Sequence, residues 1–330
     1  MTYVEQLGRI AYTVIGPIVV LAGLGYLLGR RVPATAAVLA KMLLYVLIPV
    51  YVFVNILDSR LQGAEVGRIV LFSALVVVVL YAAARVLSRL RRHDAPLRGA
   101  LANTAILYNS ANFGIPVMAL AFSFDADQET YAVAVQIVVA ACQGLAAYTA
   151  GAFIAAAGSG PVGPAIKGVL RLPFAYALAV ALALKWFGLD AATLADLAGR
   201  WPAAAVLHAV LWKPMTFICE AYVALALMTL GAQMANVRLV RAPLDLVLSV
   251  VLRLVGGALV GLVLVKAMGL EGLLAQILVI GAAGPSAVSS AVVAIEFKNR
   301  PDFAASAVLL STLAAGLTVP VVIFLAQAFL

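Results

Sequence analysis

The chain is dominated by apolar runs of about twenty residues, the length a helix needs to cross about 30 Å of hydrocarbon at 1.5 Å per residue. Bounding those runs by charge, Gly or Pro predicts ten helices, near 10–29, 35–56, 66–88, 99–122, 131–156, 172–188, 205–234, 243–267, 272–296 and 303–329. Only 11% of the residues are charged and 65% are hydrophobic, whereas soluble domains carry about 25% charged residues. So little polar surface cannot cover a water-soluble globule, and the expected fold class is all-α integral membrane. The first run ends in Arg30 and Arg31 instead of following a basic segment, so it reads as a retained span and not as a cleavable signal. The stretch 190–213 is only mildly amphipathic and is open to a surface helix leading into the seventh span.

The formal charge of +8 does not point to nucleic acid, because the Lys and Arg residues are scattered through short loops between apolar runs. Scattered loop charge is the mark of membrane orientation. With both termini outside, the inner loops hold thirteen Lys and Arg and the outer segments seven, and the acidic loop FDADQET also falls outside. The expected location is the cell (inner) membrane with both termini non-cytoplasmic. Cys142 and Cys219 lie inside spans without metal-ligand spacing, and His93 and His208 are isolated. No nucleophile–base arrangement can be assembled, so no enzyme, no metal and no cofactor are expected.

Two runs are interrupted. Residues 103–116, NTAILYNSANFGIP, place three Asn, a Ser, a Thr, a Gly and a Pro in the fourth span, and the ninth holds GAAGPSAVSS. A Pro inside a helix removes a backbone hydrogen bond and clashes with the preceding turn, leaving carbonyls that need partners in lipid. One reading is a kink healed by Ser110 and Asn112. The other is a discontinuous helix, with Pro116 in the first turn of its second half and Asn112 or Gly114 near the cap. Overlaying Tyr131 on Phe303 aligns Gly144 with Gly316. Five spans per half force the halves to point opposite ways, giving two inverted five-helix repeats at 1–157 and 172–330, joined by a cytoplasmic linker at 158–171.

In such a repeat both breaks fall near the midplane, and two half-helix N-termini aim unpaired amides at one cavity, which suits an anion such as a carboxylate. The candidate substrate-binding residues are Asn109, Ser110, Asn112, Gly114, Pro116, Gly284, Pro285, Ser286, Ser289 and Ser290. The C-terminal ends of the first halves would offer carbonyls to a coupling cation or water, and coupling to H+ or Na+ stays open. Lys41 reads as snorkelling to the inner surface. Glu220 and Arg253 read either as a structural ion pair or as a proton relay and an anion contact. Gln136 and Gln143 face the broken helix or make ordinary interhelical hydrogen bonds.

The segments YNSANFGIPV (108–117) and AAGPSAVSSAVVAIEFKNRPDFAASAVLLST (282–312) resemble the two crossover regions of the auxin efflux carrier family, which includes plant PIN-FORMED proteins and bacterial malonate-type permeases. The resemblance extends over essentially the whole chain. It implies a secondary transporter of organic anions with ten helices in two inverted repeats, broken helices four and nine crossing at the substrate, and elevator-like alternating access. Spans 1, 2, 6 and 7 would form a scaffold, and spans 3–5 and 8–10 the moving domain. The family's crossover Asn falls on Asn109, its crossover prolines on Pro116 and Pro285, and its acidic residue after the ninth span on Glu296. Tyr108 stands where plant members carry Pro, and the loop 158–171 is short, so a small carboxylate is a better expectation than auxin. The rivals are a sodium-coupled bile-acid-type symporter and a membrane sensor that binds carboxylates without moving them. The partners expected are a small organic anion, membrane lipid and a second copy in a homodimer.

Overall fold

The computed structural model describes residues 3–156, 173–235, 237, 240 and 243–330. The linker expected at 158–171 lies outside the described residues, as do Lys167, Arg171, Arg238 and Arg241 of the inner-loop count. Among the described residues every regular element is helical. In chain order these are α1 (3–31), α2 (Thr35–Asp58), α3 (Gly63–Leu90), α4 (Ala95–Ile106), α5 (Ser110–Ala121), α6 (Ala126–Ala156) and α7 (Pro173–Trp186). There follow α8 (Ala191–Arg200), α9 (Pro202–Met234), α10 (243–267), α11 (Gly272–Ala282), α12 (Val288–Glu296) and α13 (Pro301–Phe329). Five of them contain a π-helical turn, including Ser110–Gly114 at the start of α5 and Leu252–Gly256 within α10.

The helix starts follow from local chemistry. Gln62 and Glu65 close a capping box on α3. Asp94, Asp125 and Asp190 accept first-turn amides of α4, α6 and α8 respectively. Among the described residues seven helices are long and apolar enough to cross a membrane, and α7 with α8, bent by 67°, make at most an eighth. The protein is therefore multi-pass. The ambiguous stretch 190–213 divides at Trp201 into the separate helix α8 and the Pro202 start of α9. The outer faces carry exposed Val19, Val20, Leu27, Val78, Leu313 and Leu317, an apolar surface fit for lipid.

Small residues set the closest helix contacts, a feature the sequence carries as GxxxG at Gly25/Gly29 and Gly257/Gly261. A Cβ on Gly25 would lie 1.9 Å from the Met228 carbonyl oxygen, and one on Gly231 would lie 1.8 Å from that of Ala22. Helices α1 and α9 thus touch backbone to backbone. Gly257 and Gly261 bring α10 close to Ala282 at the end of α11, where added Cβ atoms would lie 2.4 Å from its oxygen and 2.9 Å from its Cβ respectively.

Polar contacts gather at the two ends of the bundle. At the end of α3 nearest Leu90, Arg91 and His93 meet Asp245 at 2.9 and 3.1 Å, and Arg300 meets Asp94 at 2.5 Å. About 40 Å away along the helix axis, at its Gly63 end, Tyr131 donates to Glu65 at 2.7 Å and Lys185 donates to the carbonyl of Ser59. Between these ends the helices are held by apolar packing and a small set of buried polar groups.

Candidate functional site

Helical bonding stops at Ile106 and resumes at Ser110, and stops again at Ala282 before resuming at Val288. Helices α4 and α5 have 12 residues each, so the first gap lies about 18 Å along either helix from its far end. The two gaps meet. Tyr108 and Ser286 form an antiparallel bridge, in which the Asn109 N–H donates to the Pro285 carbonyl at 2.8 Å and the Ala287 N–H to the Leu107 carbonyl at 2.9 Å.

Every backbone group freed by a break in a dry interior needs a partner. Side chains from three neighbouring helices supply them. Gln143 of α6 accepts the Tyr108 N–H at 3.1 Å through Oε1, and Gln136 donates Nε2 to the Ser110 carbonyl at 2.9 Å. Ser311 of α13 accepts the Ser286 N–H at 3.0 Å, while Ser286 Oγ donates to the Thr104 carbonyl at 2.8 Å. From α10, Arg253 donates to the Ala105 carbonyl at 2.5 Å and to the Ala282 carbonyl. The glutamines are thus part of the crossing itself.

Beside the crossing lies a cleft of about 200 Å³. One wall is the crossing, with Tyr108, Asn109, Ser110, Asn112, Val288 and Ser289. The opposite wall is apolar, with Leu44, Ile48 and Val52 of α2 and Phe174 of α7. The Nδ2 amide of Asn109 is buried without a hydrogen-bond partner. The Tyr108 hydroxyl and the neighbouring Gln143 Nε2 also close no hydrogen bond of normal geometry. All three atoms are donors on residues that line the cleft.

Of the sequence candidates, Asn109, Ser110, Asn112 and Ser289 border this cleft. Gly114, Pro116, Gly284, Pro285, Ser286 and Ser290 are buried behind it as parts of the crossing. Pro116 occupies the first turn of the α-helical segment Ile115–Ala121, whereas the cap of the whole second half is Asn109 rather than Asn112 or Gly114. That shift has a cause: the π turn Ser110–Gly114 precedes the α-helical part, and the Gly114 N–H returns to the Asn109 carbonyl at 2.9 Å. Ser290 donates to its own helix at Ala287. Glu296 is exposed at the end of α12.

The ion pair considered for Glu220 and Arg253 is absent among the described residues. Glu220 is exposed on α9, while Arg253 is buried on α10 and bonded to carbonyls. Arg253 is not in the cleft lining either, being separated from it by the Tyr108 ring, which lies 4.9 Å from the guanidinium carbon. Tyr108 and Gln143 are the lining residues that sequence reasoning undervalued. Their signal was a polar group at mid-span next to a break.

The described residues thus form an all-helical, multi-pass arrangement whose two gaps in helical bonding pair beside a cleft. A model of the family described as membrane transport protein, that of the auxin efflux carriers, matches residues 167–323, in agreement with the resemblance carried by the crossover motifs. The matched region includes Arg253 and the second break, and the structure pairs that break with the first. The family is one of transporters, which weighs against an enzyme. No curated protein matches the chain.

Proposed function

We propose that the protein is a secondary transporter of a small organic anion, a carboxylate, bound in the cleft between the crossing and helices α2 and α7. The observation that carries this reading is the unpartnered Asn109 Nδ2 on the cleft wall, beside the Tyr108 hydroxyl and Gln143 Nε2. An amide N–H without a partner on a cleft-lining residue is matched by an acceptor on the ligand, and hydrogen bonds to an ionised acceptor are about twice as strong as neutral ones. The amides at the start of α5 add the partial positive charge of a helix N-terminus.

In this reading α4 with α5 forms the fourth span and α11 with α12 the ninth, so the chain crosses ten times as two inverted five-helix repeats. The sorting of polar contacts supports it. Ten alternating crossings put the α3–α4 and α12–α13 turns and the start of α10 on one side, as the Asp94–Arg300 and Arg91–Asp245 pairs require. They put the turn before α3 and the start of α6 on the other, as Tyr131 and Glu65 require. By the excess of basic residues the first side is cytoplasmic, leaving both termini outside the inner membrane. Helices α1, α2, α7 and α9 form the scaffold and the rest the moving body, in an elevator-like exchange of access.

The test is uptake of radiolabelled malonate and related dicarboxylates into liposomes containing the purified chain, with and without pH and sodium gradients. Accumulation that falls when Asn109→Ala is substituted is expected, the loss of one donor to an ionised oxygen weakening binding by about 10- to 100-fold. Binding without accumulation identifies a sensor, and uptake unaffected by Asn109→Ala removes this cleft from the pathway.

A further inference from the structure

The side chain of Arg253 is fully buried and no carboxylate pairs with it among the described residues. A buried guanidinium without an anion is normally expensive. Here its partners are backbone. Nη1 donates to Ala105 and Nη2 to Ala282, which lie in the last turns of α4 and α11, and the Tyr108 ring faces the guanidinium carbon at 4.9 Å. Each helix C-terminus is equivalent to about −0.5 of a charge, so the two together present about −1 to a single cation. The approach is built into the backbone: a Cβ on Gly257 would sit 2.0 Å from Arg253 Nη2 and 2.4 Å from the Ala282 oxygen.

Carbonyl ends of interrupted helices are the chemistry that holds a dissociable cation in many transporters. In this chain a covalently attached cation already occupies them. We propose that Arg253 is a tethered cation, a positioning residue that neutralises both helix ends and holds Tyr108 and Asn109 in register, and that its removal uncovers a site for a small monovalent cation. The inference rests on the transporter reading only for its effect on uptake. Free guanidinium is the best-fitting occupant because it reproduces the planar fork, and sodium is a weaker one.

The experiment compares the parent, Arg253→Ala, Arg253→Lys, Arg253→Met and Asn109→Ala as purified full chains. Thermal midpoints are measured in choline, sodium and millimolar guanidinium chloride at equal ionic strength, and malonate uptake is measured in liposomes. The parent midpoint should be indifferent to the cation. Arg253→Ala should lose midpoint and uptake, and guanidinium should restore at least half of the midpoint lost, saturably, with sodium restoring less. Asn109→Ala should show no cation response. Should Arg253→Ala not fold, Arg253→Lys should exceed Arg253→Met in midpoint, since it keeps the charge. A loss that no cation reverses, or equal behaviour of the Lys and Met variants, overturns the proposal. If the parent takes up no carboxylate while the cation response is present, the transporter reading fails and the tethered cation stands.

Discussion

Replacing Gly114 by Ala isolates the fit of the crossing in a single methyl group. The added Cβ would lie 2.3 Å from Gln136 Nε2 and 3.1 Å from its Cδ, so the amide must move by more than an ångström to reach ordinary contact. Its Oε1 is already packed against the Gly281 backbone, close enough that a Cβ there would lie 2.7 Å from it. Moving the amide breaks its 2.9 Å bond to the Ser110 carbonyl, which keeps the Ile115 N–H, and leaves the buried Gln136 side chain without a hydrogen-bond partner. That loss costs about 1–3 kcal/mol. Overpacking adds a further ~1–3 kcal/mol. At about 2 °C per kcal/mol for a large chain, the thermal midpoint should fall by at least about 4 °C. The diagnostic is the cycle with Gln136→Ala, which removes the obstructing amide. The double variant should be less destabilised than the sum of the single ones by more than ~1 kcal/mol, well beyond the additivity expected of independent sites. Midpoints from tryptophan fluorescence in detergent decide it. Strict additivity, or a Gly114→Ala midpoint equal to the parent's, would refute the argument that Gln136 is wedged between the two halves of the chain.

Two further outcomes follow from contacts away from the cleft. Gly25→Ala and Gly231→Ala each drive a methyl into backbone oxygen at under 2 Å and should sharply reduce the yield of monodisperse protein, while Gly8→Ala, with no atom within 4 Å of its Cβ position, should not. The Asp94 carboxyl is held below the usual carboxylate range, first by the Arg300 side chain and then by the Leu97 N–H it caps. A lowered folded pKa means that its contribution is present above the ordinary value of 3.8 and is lost as pH falls through the folded one. Asp94→Asn keeps the cap and loses only a largely exposed ion pair, so it should change stability by less than ~1 kcal/mol at neutral pH, and the difference should shrink as pH falls below 3.8. Thermal midpoints across that range check the sign.

Much of the fold is legible because bilayer thickness fixes helix length. The apolar runs found their helices to within a few residues, and the starts at Gly63, Ala95 and Pro301 carry capping or Pro signals. The two gaps in helical bonding, at 107–109 and 283–287, fall within the runs that hold Asn, Gly and Pro, residues costly in lipid unless the backbone there has other partners. What the sequence could not give is which face each polar residue presents. Ser286 and Asn109 look alike as candidates, yet Ser286 spends its hydroxyl on Thr104 and its amide on Ser311, while Asn109, which lines the cleft, keeps a buried donor without a partner. Glu220 and Arg253 sit at plausible hairpin depths, but one faces outward and the other takes two helix ends. Depth follows from counting along a helix; azimuth depends on neighbours that only the tertiary structure supplies.

That azimuthal information bears on how the proposed moving body is divided from its scaffold. The polar partners of the crossing described above come from α6, α10 and α13, so the crossing should travel with those helices as one piece. Across the cleft it faces the apolar residues Leu44, Ile48 and Val52 of α2 and Phe174 of α7, whose side chains can slide past it without unmaking hydrogen bonds. The Tyr222 hydroxyl of α9 does reach the Ala111 carbonyl, but at 3.4 Å the bond is long, and the Tyr222 ring is anchored on its own side by stacking on Tyr51 at 4.1 Å. Tyr222→Phe should therefore cost less than ~1 kcal/mol, whereas Ser311→Ala and Gln143→Leu, which each orphan a buried N–H of the bridge, should cost about 1–3 kcal/mol. If Tyr222→Phe lowers the thermal midpoint more than either of those variants, the boundary between the bodies does not run between the crossing and α9, and the sliding surface must be sought elsewhere.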